Sequence, residues 1–384
     1  MFLLNGKKKK SPKTKTLLIL CRNQFGQHID TYQYCKHLRE RFNITYLCWD
    51  YGKKKQTMER VEIISVPRKG NIIFRNLRYI QESVRQLQKK QYDICFIKYF
   101  RGCSLLKLLF YKQLFVFDIR TSGIFKNRFI KNAYDVFMRF ESRFFSHCTI
   151  ISQSLAKQLG LTDRSTVLPL GSEIIADNKK KFEVMNLLYV GTFINRELEK
   201  TIVGFNKFFN KFHQKIPLSY TIIGDGNRGD GDKLKKLVRQ LGLGEKIFFP
   251  GRIPFDELTP YFETHNIGVS FVPMTPYFDA QPVTKTFDYL LSGMPVIATA
   301  TSENRLVVNK KNGVLIADSP DSFKKGLEEI YKQRHTYNSD YIVESSRKFS
   351  RKKIISEFGD YLENLLQHNC QSHEQGKKTK HVNR

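Results

Sequence analysis

Acidic side chains are scarce in this sequence: 36 Asp and Glu stand against 65 Lys and Arg, leaving a formal net charge of +29 over 384 residues. Such an imbalance brings a polyanion or an anionic surface into the account, beside plain solvation of part of the charge. Zinc-finger spacing, an aromatic-rich RNP-type strand and an Arg/Gly-rich tail are all missing, so nucleic acid is not the expected one. An anionic membrane surface is expected instead, each Lys or Arg near it gaining about 1 kcal/mol. Paired cysteines are lacking too. The seven present (Cys21, Cys35, Cys48, Cys95, Cys103, Cys148 and Cys370) include no C-x-x-C, which excludes a zinc knuckle, and their odd number does not suit a disulfide framework. No long apolar run exists. The richest stretch, 105–119, is cut by Lys107 and Lys112 and is too short to span a bilayer. The opening MFLLNGKKKK puts its charge after its apolar residues, the reverse of a signal peptide. These absences lead to the expectation of a cytoplasmic protein held peripherally at the inner face of the cell membrane.

Hydrophobic residues make up 41% of the chain and aromatics 13%, enough for two cores in a length that exceeds what one usually spans. From Thr16 onward short β-rich runs alternate with amphipathic stretches, as in parallel sheets flanked by helices. Strands are predicted at 16–21, 43–47, 61–66, 94–97, 115–117, 149–151 and 166–168. Between them, 71–88 forms a helix with Ile73, Leu77, Ile80, Val84 and Leu87 on one face, the other face being basic. A second basic helix covers 127–145. A polar, lysine-rich stretch at 176–181 marks the domain boundary, and the alternation then resumes from Leu187. The organisation expected is an α/β domain over 14–175, a second over 184–345, a final helix over 346–368 and a basic, disordered tail over 369–384.

Ligands of open parallel sheets bind beyond the carboxyl ends of the strands. One such loop, 224–233, reads GDGNRGDGDK and contains a formal G-x-G-x-x-G. A dinucleotide site also needs an acidic residue about 20 positions on, and the strand there ends in Phe249 and Pro250. The loop therefore reads as a glycine-rich turn. Its Asp230 and Asp232 read as a helix cap more readily than as metal ligands, and no metal is expected.

The segment 281–299, QPVTKTFDYLLSGMPVIAT, reads as loop, helix, glycine stop and buried strand. A helix start offers free N–H groups and a positive dipole end, suited to a diphosphate, at Val283 and Thr284. Lys285 adds a cation, and Asp288 lies one turn on along the same face, where it could accept from ribose hydroxyls. On pattern alone the two could equally be a solvated i,i+3 pair.

These residues resemble the nucleotide-binding motif of family-four glycosyltransferases, the retaining GT-B enzymes, in the form P-x-x-K-x-F-E-Y-L-x-x-G-x-P-V-I-A. Similar in order are YVGT at 189–192 with Arg196, YTIIGDG at 220–226, FPGRI at 249–253, HNIGVSF at 265–271, and IIS at 150–152 followed by LPLG at 168–171. The resemblance implies two Rossmann-like domains facing across a cleft, with a C-terminal helix crossing back to the first. It implies donor binding by Gly191, Thr192, Arg196, Arg252, Ile253, Val283, Thr284, Lys285 and Asp288. It also implies transfer, with retention, from a UDP-, GDP- or similar nucleotide sugar to a lipid-linked or saccharide acceptor in cell-surface polysaccharide synthesis, without a further cofactor. Asp288 stands for the family's second glutamate. The first would fall on Ala280, with Asp279 beside it as the candidate replacement near the donor sugar. The N-terminal glycine loop is reduced to Gly26, Gln27 and His28, candidates for acceptor or phosphate contact; His28 could also be structural. In FDIRTSG at 117–123, Asp118 and Arg120 resemble a D-x-R of bacterial members, and are either catalytic contacts or a pair that fixes the loop. Rival readings are a nucleic-acid-binding protein on a decayed scaffold of this kind, or an epimerase of the same fold.

Overall fold

Each β-rich run of the first half becomes a strand of one parallel sheet. The computed structural model describes residues 15–123, 125 and 127–382, so the MFLLNGKKKK opening lies outside the described residues. The chain forms two compact units, the first made of residues up to Ile150, Asp163–Thr166 and the chain from Ile355. Its elements run β1 (Lys15–Leu20), α1 (Ile29–Leu38), β2 (Phe42–Asp50), β3 (Val61–Pro67), α2 (Ile72–Lys89), β4 (Ile94–Lys98), α3 (Ser104–Leu109), β5 (Phe115–Ile119), α4 (Arg128–Ser142) and β6 (His147–Ile150). Helix α5 (Gln153–Leu159), which belongs to the second unit, and the short β7 (Thr166–Val167) follow. The sheet order is β3-β2-β1-β4-β5-β6-β7. Its central strands, such as LLIL in β1 and FVFDI in β5, are buried, as parallel strands covered on both faces must be.

The second unit, Ile151–Thr162 and Val167–Ile354, repeats the plan. It contains β8 (Met185–Val190), α6 (Leu198–Phe212), β9 (Leu218–Ile223), α7 (Asp230–Gln240), β10 (Ile247–Gly251), α8 (Thr259–Thr264), β11 (Ile267–Ser270), α9 (Pro276–Asp279) and α10 (Thr284–Leu291). After these come β12 (Val296–Thr299), α11 (Ser302–Arg305), β13 (Gly313–Ile316), α12 (Pro320–Gln333), α13 (Ser339–Ser346) and the start of α14 (Arg351–Val382). The parallel order is β10-β9-β8-β11-β12-β13. Apolar residues at helical spacing in α6 (Leu198, Ile202, Phe205, Phe208 and Phe212) are buried in the core of this unit. Helix α12 closes on α6 at Gly204, where a Cβ would stand 2.6 Å from the Pro320 carbonyl oxygen.

Strand-helix-strand crossovers are right-handed. In the first unit the step from β1 to β2 sends α1 to one face of the sheet, and the steps through β4, β5 and β6 send α2, α3 and α4 to the other. The part of α14 in this unit packs beside α1, its Phe358 ring 5.1 Å from Tyr34 and 5.3 Å from Phe96. Arg41 ties it down through Asp360 at 2.7 Å and Glu363 at 2.8 Å.

Two local expectations are corrected. Helix α2 does not bury the whole row from Ile73 to Leu87: Tyr79, Ser83, Gln86 and Leu87 face inward, whereas Ile73 and Leu77 are exposed, its early turns having no covering element among the described residues. Helix α7 begins at Asp230, with Gly229 at its N-cap in the left-handed region, so Asp230 and Asp232 lie within its first turn. Asp230 turns back to accept from the Asn227 amide at 2.8 Å.

Candidate functional site

In the second sheet the strand order reverses direction between β8 and β11, the place where crossovers diverge and a crevice opens. A cavity of about 340 Å³ lies there, lined by Gly191, Thr192 and Arg196 after β8, by Tyr277, Phe278 and Gln281 after β11, and by Val283, Thr284, Lys285 and Asp288 at the start of α10. All these residues belong to the second unit.

Helix α10 is positioned from beneath. The Tyr289 ring lies against Gly268, where a Cβ would fall 2.2 Å from the ring, and its hydroxyl accepts from the Val190 amide at 2.9 Å. That anchor turns Lys285 and Asp288 toward the cavity they line. The Val283 N-cap carries no capping side chain, so the first-turn amides are left without that partner.

Lys285 is 9% exposed, and its Nζ has no hydrogen-bond partner among the described residues. The ammonium sits 3.6 Å from the centre of the Tyr189 ring. Burial and the neighbouring Arg196 push its pKa well below the ordinary lysine range, with Asp288 opposing. Tyr189 is itself fixed, its hydroxyl donating to the Thr192 carbonyl at 2.7 Å. Arg196 lays its guanidinium 4.5 Å from the Phe278 ring centre, and its Nε is buried without a partner among the described residues. The residues either side of it, Asn195 and Glu197, have φ of 55° and 51°, a conformation that costs a non-glycine residue about 1 kcal/mol or more. Strain of this kind, flanking a cation that lines a cavity, is characteristic of a site.

Glycine supplies the room. Gly191 has φ +150°, and a Cβ there would stand 3.1 Å from Lys285 Nζ. Gly224, φ +142°, lets the loop after β9 approach so closely that a Cβ would lie 1.8 Å from the Gly191 carbonyl oxygen. The G-x-G of 224–226 thus packs one loop against another.

Asp288 accepts a short hydrogen bond from Ser172 Oγ. Burial pushes its pKa up to about 6, against the pull of Ser172, Arg351 and Lys285. Ser172 lies 116 residues away in sequence and has no local spacing signal. Asp279 gives one oxygen to the Ser302 amide at 2.8 Å and the other to Ser302 Oγ at 2.6 Å, clamping the start of α11. Arg252 and Ile253 do not line the cavity. Arg252 is largely exposed, 3.6 Å from Asp225, and Ile253 packs on the core.

In the first unit, Gly26, Gln27 and His28 follow β1 at the corresponding reversal, between β1 and β4. His28 caps α1, its Nδ1 accepting from the Thr31 amide at 3.4 Å. Burial, with Lys98 and Arg120 nearby and Asp30 opposing, lowers its pKa to about 4, so the ring is neutral. Asp118 and Arg120 are both buried and pair at 2.9 Å, and Thr149 Oγ1 donates to the second Asp118 oxygen at 2.7 Å.

Residues 185–333, which include every residue lining the cavity, match a family described as Glycosyl transferases group 1. No curated protein matches the sequence. A sucrose-phosphate synthase from Thermosynechococcus elongatus superposes with a TM-score of 0.73 at 14% identity, covering 92% of this chain and 100% of that one. The Anabaena protein HepE, in complex with UDP, gives 0.69 at 13%, covering 91% and 100%. The lipopolysaccharide outer core galactosyltransferase WaaB gives 0.66 at 15%, covering 90% and 98%. At these identities the likeness is one of fold. The fold is thus two Rossmann-like parallel sheets of the GT-B kind, and the match to Glycosyl transferases group 1 over the segment that builds the cavity marks a transferase enzyme.

Proposed function

We propose that the enzyme transfers a glycosyl group from a nucleoside diphosphate sugar to a lipid-linked or saccharide acceptor in cell-surface polysaccharide synthesis, at the cytoplasmic face of the membrane. The observation that carries the donor half is Lys285: a buried ammonium without a hydrogen-bond partner among the described residues, lining the same cavity as Arg196 and the α10 N-terminus. A buried cation is costly unless something negative completes it. A diphosphate would do so, bound by the ammonium, the guanidinium and the first-turn amides.

As the anomeric bond breaks, negative charge gathers on the leaving diphosphate. Groups already aimed at that charge need no reorganisation, and each well-placed donor lowers the barrier by roughly 2–4 kcal/mol. Arg196 and Lys285 would supply the neutralisation that other enzymes take from a divalent ion. Asp288, held by Ser172, would accept from the ribose hydroxyls. Structures of HepE are of complexes with UDP and with UDP-glucose, which makes a uridine donor the first to test. Retention of configuration and the polysaccharide role are supported by the motif resemblance. Around the first sheet's reversal, Gly26, Gln27 and His28 would receive the acceptor, with Asp118 and Arg120 acting beneath as positioning residues.

The test is a panel of UDP- and GDP-sugars, read by thermal shift and by hydrolysis. At least one should raise the melting temperature of the wild-type protein and lose that effect in Arg196→Ala and Lys285→Ala. A panel without any stabilising member contradicts the proposal.

A further inference from the structure

The outer layer of the first unit exposes apolar side chains in a pattern that a soluble helix layer buries. Helix α4 carries Phe129, Ile130, Val136, Phe137 and Phe140 on one helical face, and all are exposed, Phe129 by 85%. Its inward face offers only Met138, Glu141 and Ser142. The first turns of α2 do the same with Ile72, Ile73, Phe74 and Leu77, each more than half exposed. Helix α3 joins the two: Gly102, just before it, lies against Ile80 of α2, and its first turn is held by Glu141 of α4, which accepts from Ser104 N at 3.1 Å and Ser104 Oγ at 2.8 Å. Leu105 and Leu108 extend the exposed surface across this bridge. The crossover rule puts all three helices on the same face of the sheet.

Charge identifies what covers it. The acidic residues of α2 and α4 are Glu82, Asp135 and Glu141, whose side chains or residues are 23%, 12% and 0% exposed. The cations Arg78 and Arg85 of α2, Arg128 and Arg139 of α4 and Arg143 at its C-cap are exposed, and Lys131 pairs with Asp135 at 2.7 Å. Acids turned inward and cations turned outward among bare aliphatic and aromatic groups match a surface that is negative and greasy together. A nucleic acid would reward the arginines and not the apolar row; a second copy of this chain would meet like charge with like charge. We propose that α2 and α4 lay this face on an anionic phospholipid bilayer, with Phe129, Phe137, Phe74 and Leu77 entering the acyl boundary and the arginines meeting the headgroups. This deepens the membrane reading given above by assigning it a surface and an insertion step, and it is independent of the donor site.

The sequence has one tryptophan, Trp49, and it is buried, so Phe129→Trp adds a reporter at the proposed contact. Full-length protein carrying it should show a blue-shifted added emission with phosphatidylglycerol-containing vesicles and none with phosphatidylcholine alone. In co-sedimentation with the anionic vesicles, Phe129→Ser combined with Phe137→Ser should weaken binding about tenfold or more, since two buried aromatic contacts are lost. A double change of Arg128 and Arg139 to Gln should weaken it chiefly at low salt. Both sets should keep the wild-type melting temperature, because these side chains are exposed. An unshifted reporter, vesicle binding indifferent to the Phe changes, equal protection by duplex DNA, or a dimer in light scattering that the Phe changes dissolve would each overturn the proposal. Nucleotide binding measured on the same samples keeps its failure separate from that of the donor reading.

Discussion

Replacing Lys285 by Met separates a functional cation from a structural one, because the two roles predict opposite changes in stability. The ammonium is enclosed, has no hydrogen-bond partner among the described residues and lies over the Tyr189 ring. Met is of similar length, keeps the contact with the ring and removes the desolvation cost. Substitution of buried charged groups by apolar ones of similar volume is commonly stabilising, here by about 1–2 kcal/mol. For a unit of this size that corresponds to a rise of about 2–8 °C in melting temperature. Loss of one charge-assisted bond of about 1.5–3 kcal/mol should at the same time weaken nucleoside diphosphate binding roughly 10- to 150-fold. Scanning calorimetry without ligand and titration with UDP read the two effects on one preparation. A variant that melts lower than wild type and binds UDP equally well would refute the assignment of Lys285 to an anion.

Gly191→Ala should weaken donor binding by about tenfold or more, since its Cβ would stand 3.1 Å from Lys285 Nζ on a backbone that favours glycine; titration with UDP checks it. Gly224→Ala drives a methyl into the Gly191 carbonyl and should destabilise by about 3 kcal/mol or more, visible in urea unfolding. Burial raises the pKa of Asp288 to about 6, so the carboxylate proposed to accept from ribose hydroxyls is present above that pH and lost as pH falls through it. Ser172→Ala removes the donor that holds it down and should move the acid limb of the UDP binding profile upward, whereas a merely structural loss would scale the whole profile.

The periodicity of apolar runs made the alternating architecture legible, because parallel strands covered on both faces must be continuously apolar. Segment 281–299 likewise announced a helix start beside a cation, and the spacing of Lys285 and Asp288 fixed their shared face. Contacts made across sequence distance left no such trace. Ser172 holds Asp288 from 116 positions away, and Tyr189 lies under Lys285 only because the switch in strand order sets β8 beside β11. The Asp118 and Arg120 pattern is compatible with contact or with pairing, and the buried 2.9 Å pair with Thr149 alongside follows from strand packing that the local pattern does not encode. Amphipathic spacing marked an apolar row on α2 without saying what covers it; exposure of Ile73 and Leu77 is a property of the assembled layer.

Proton linkage offers the most direct measurement of the central claim. Burial and the neighbouring Arg196 disfavour the charged form of Lys285, and a diphosphate closing over it favours that form, while a nucleotide sugar's diphosphate brings no group of its own that titrates in the neutral range. Calorimetric titration of the preferred nucleotide sugar across a series of pH values, in two buffers of unlike ionisation enthalpy, should therefore show affinity falling as pH rises, with proton uptake on binding over the range where it falls. Binding with no proton uptake and no pH dependence would contradict the account.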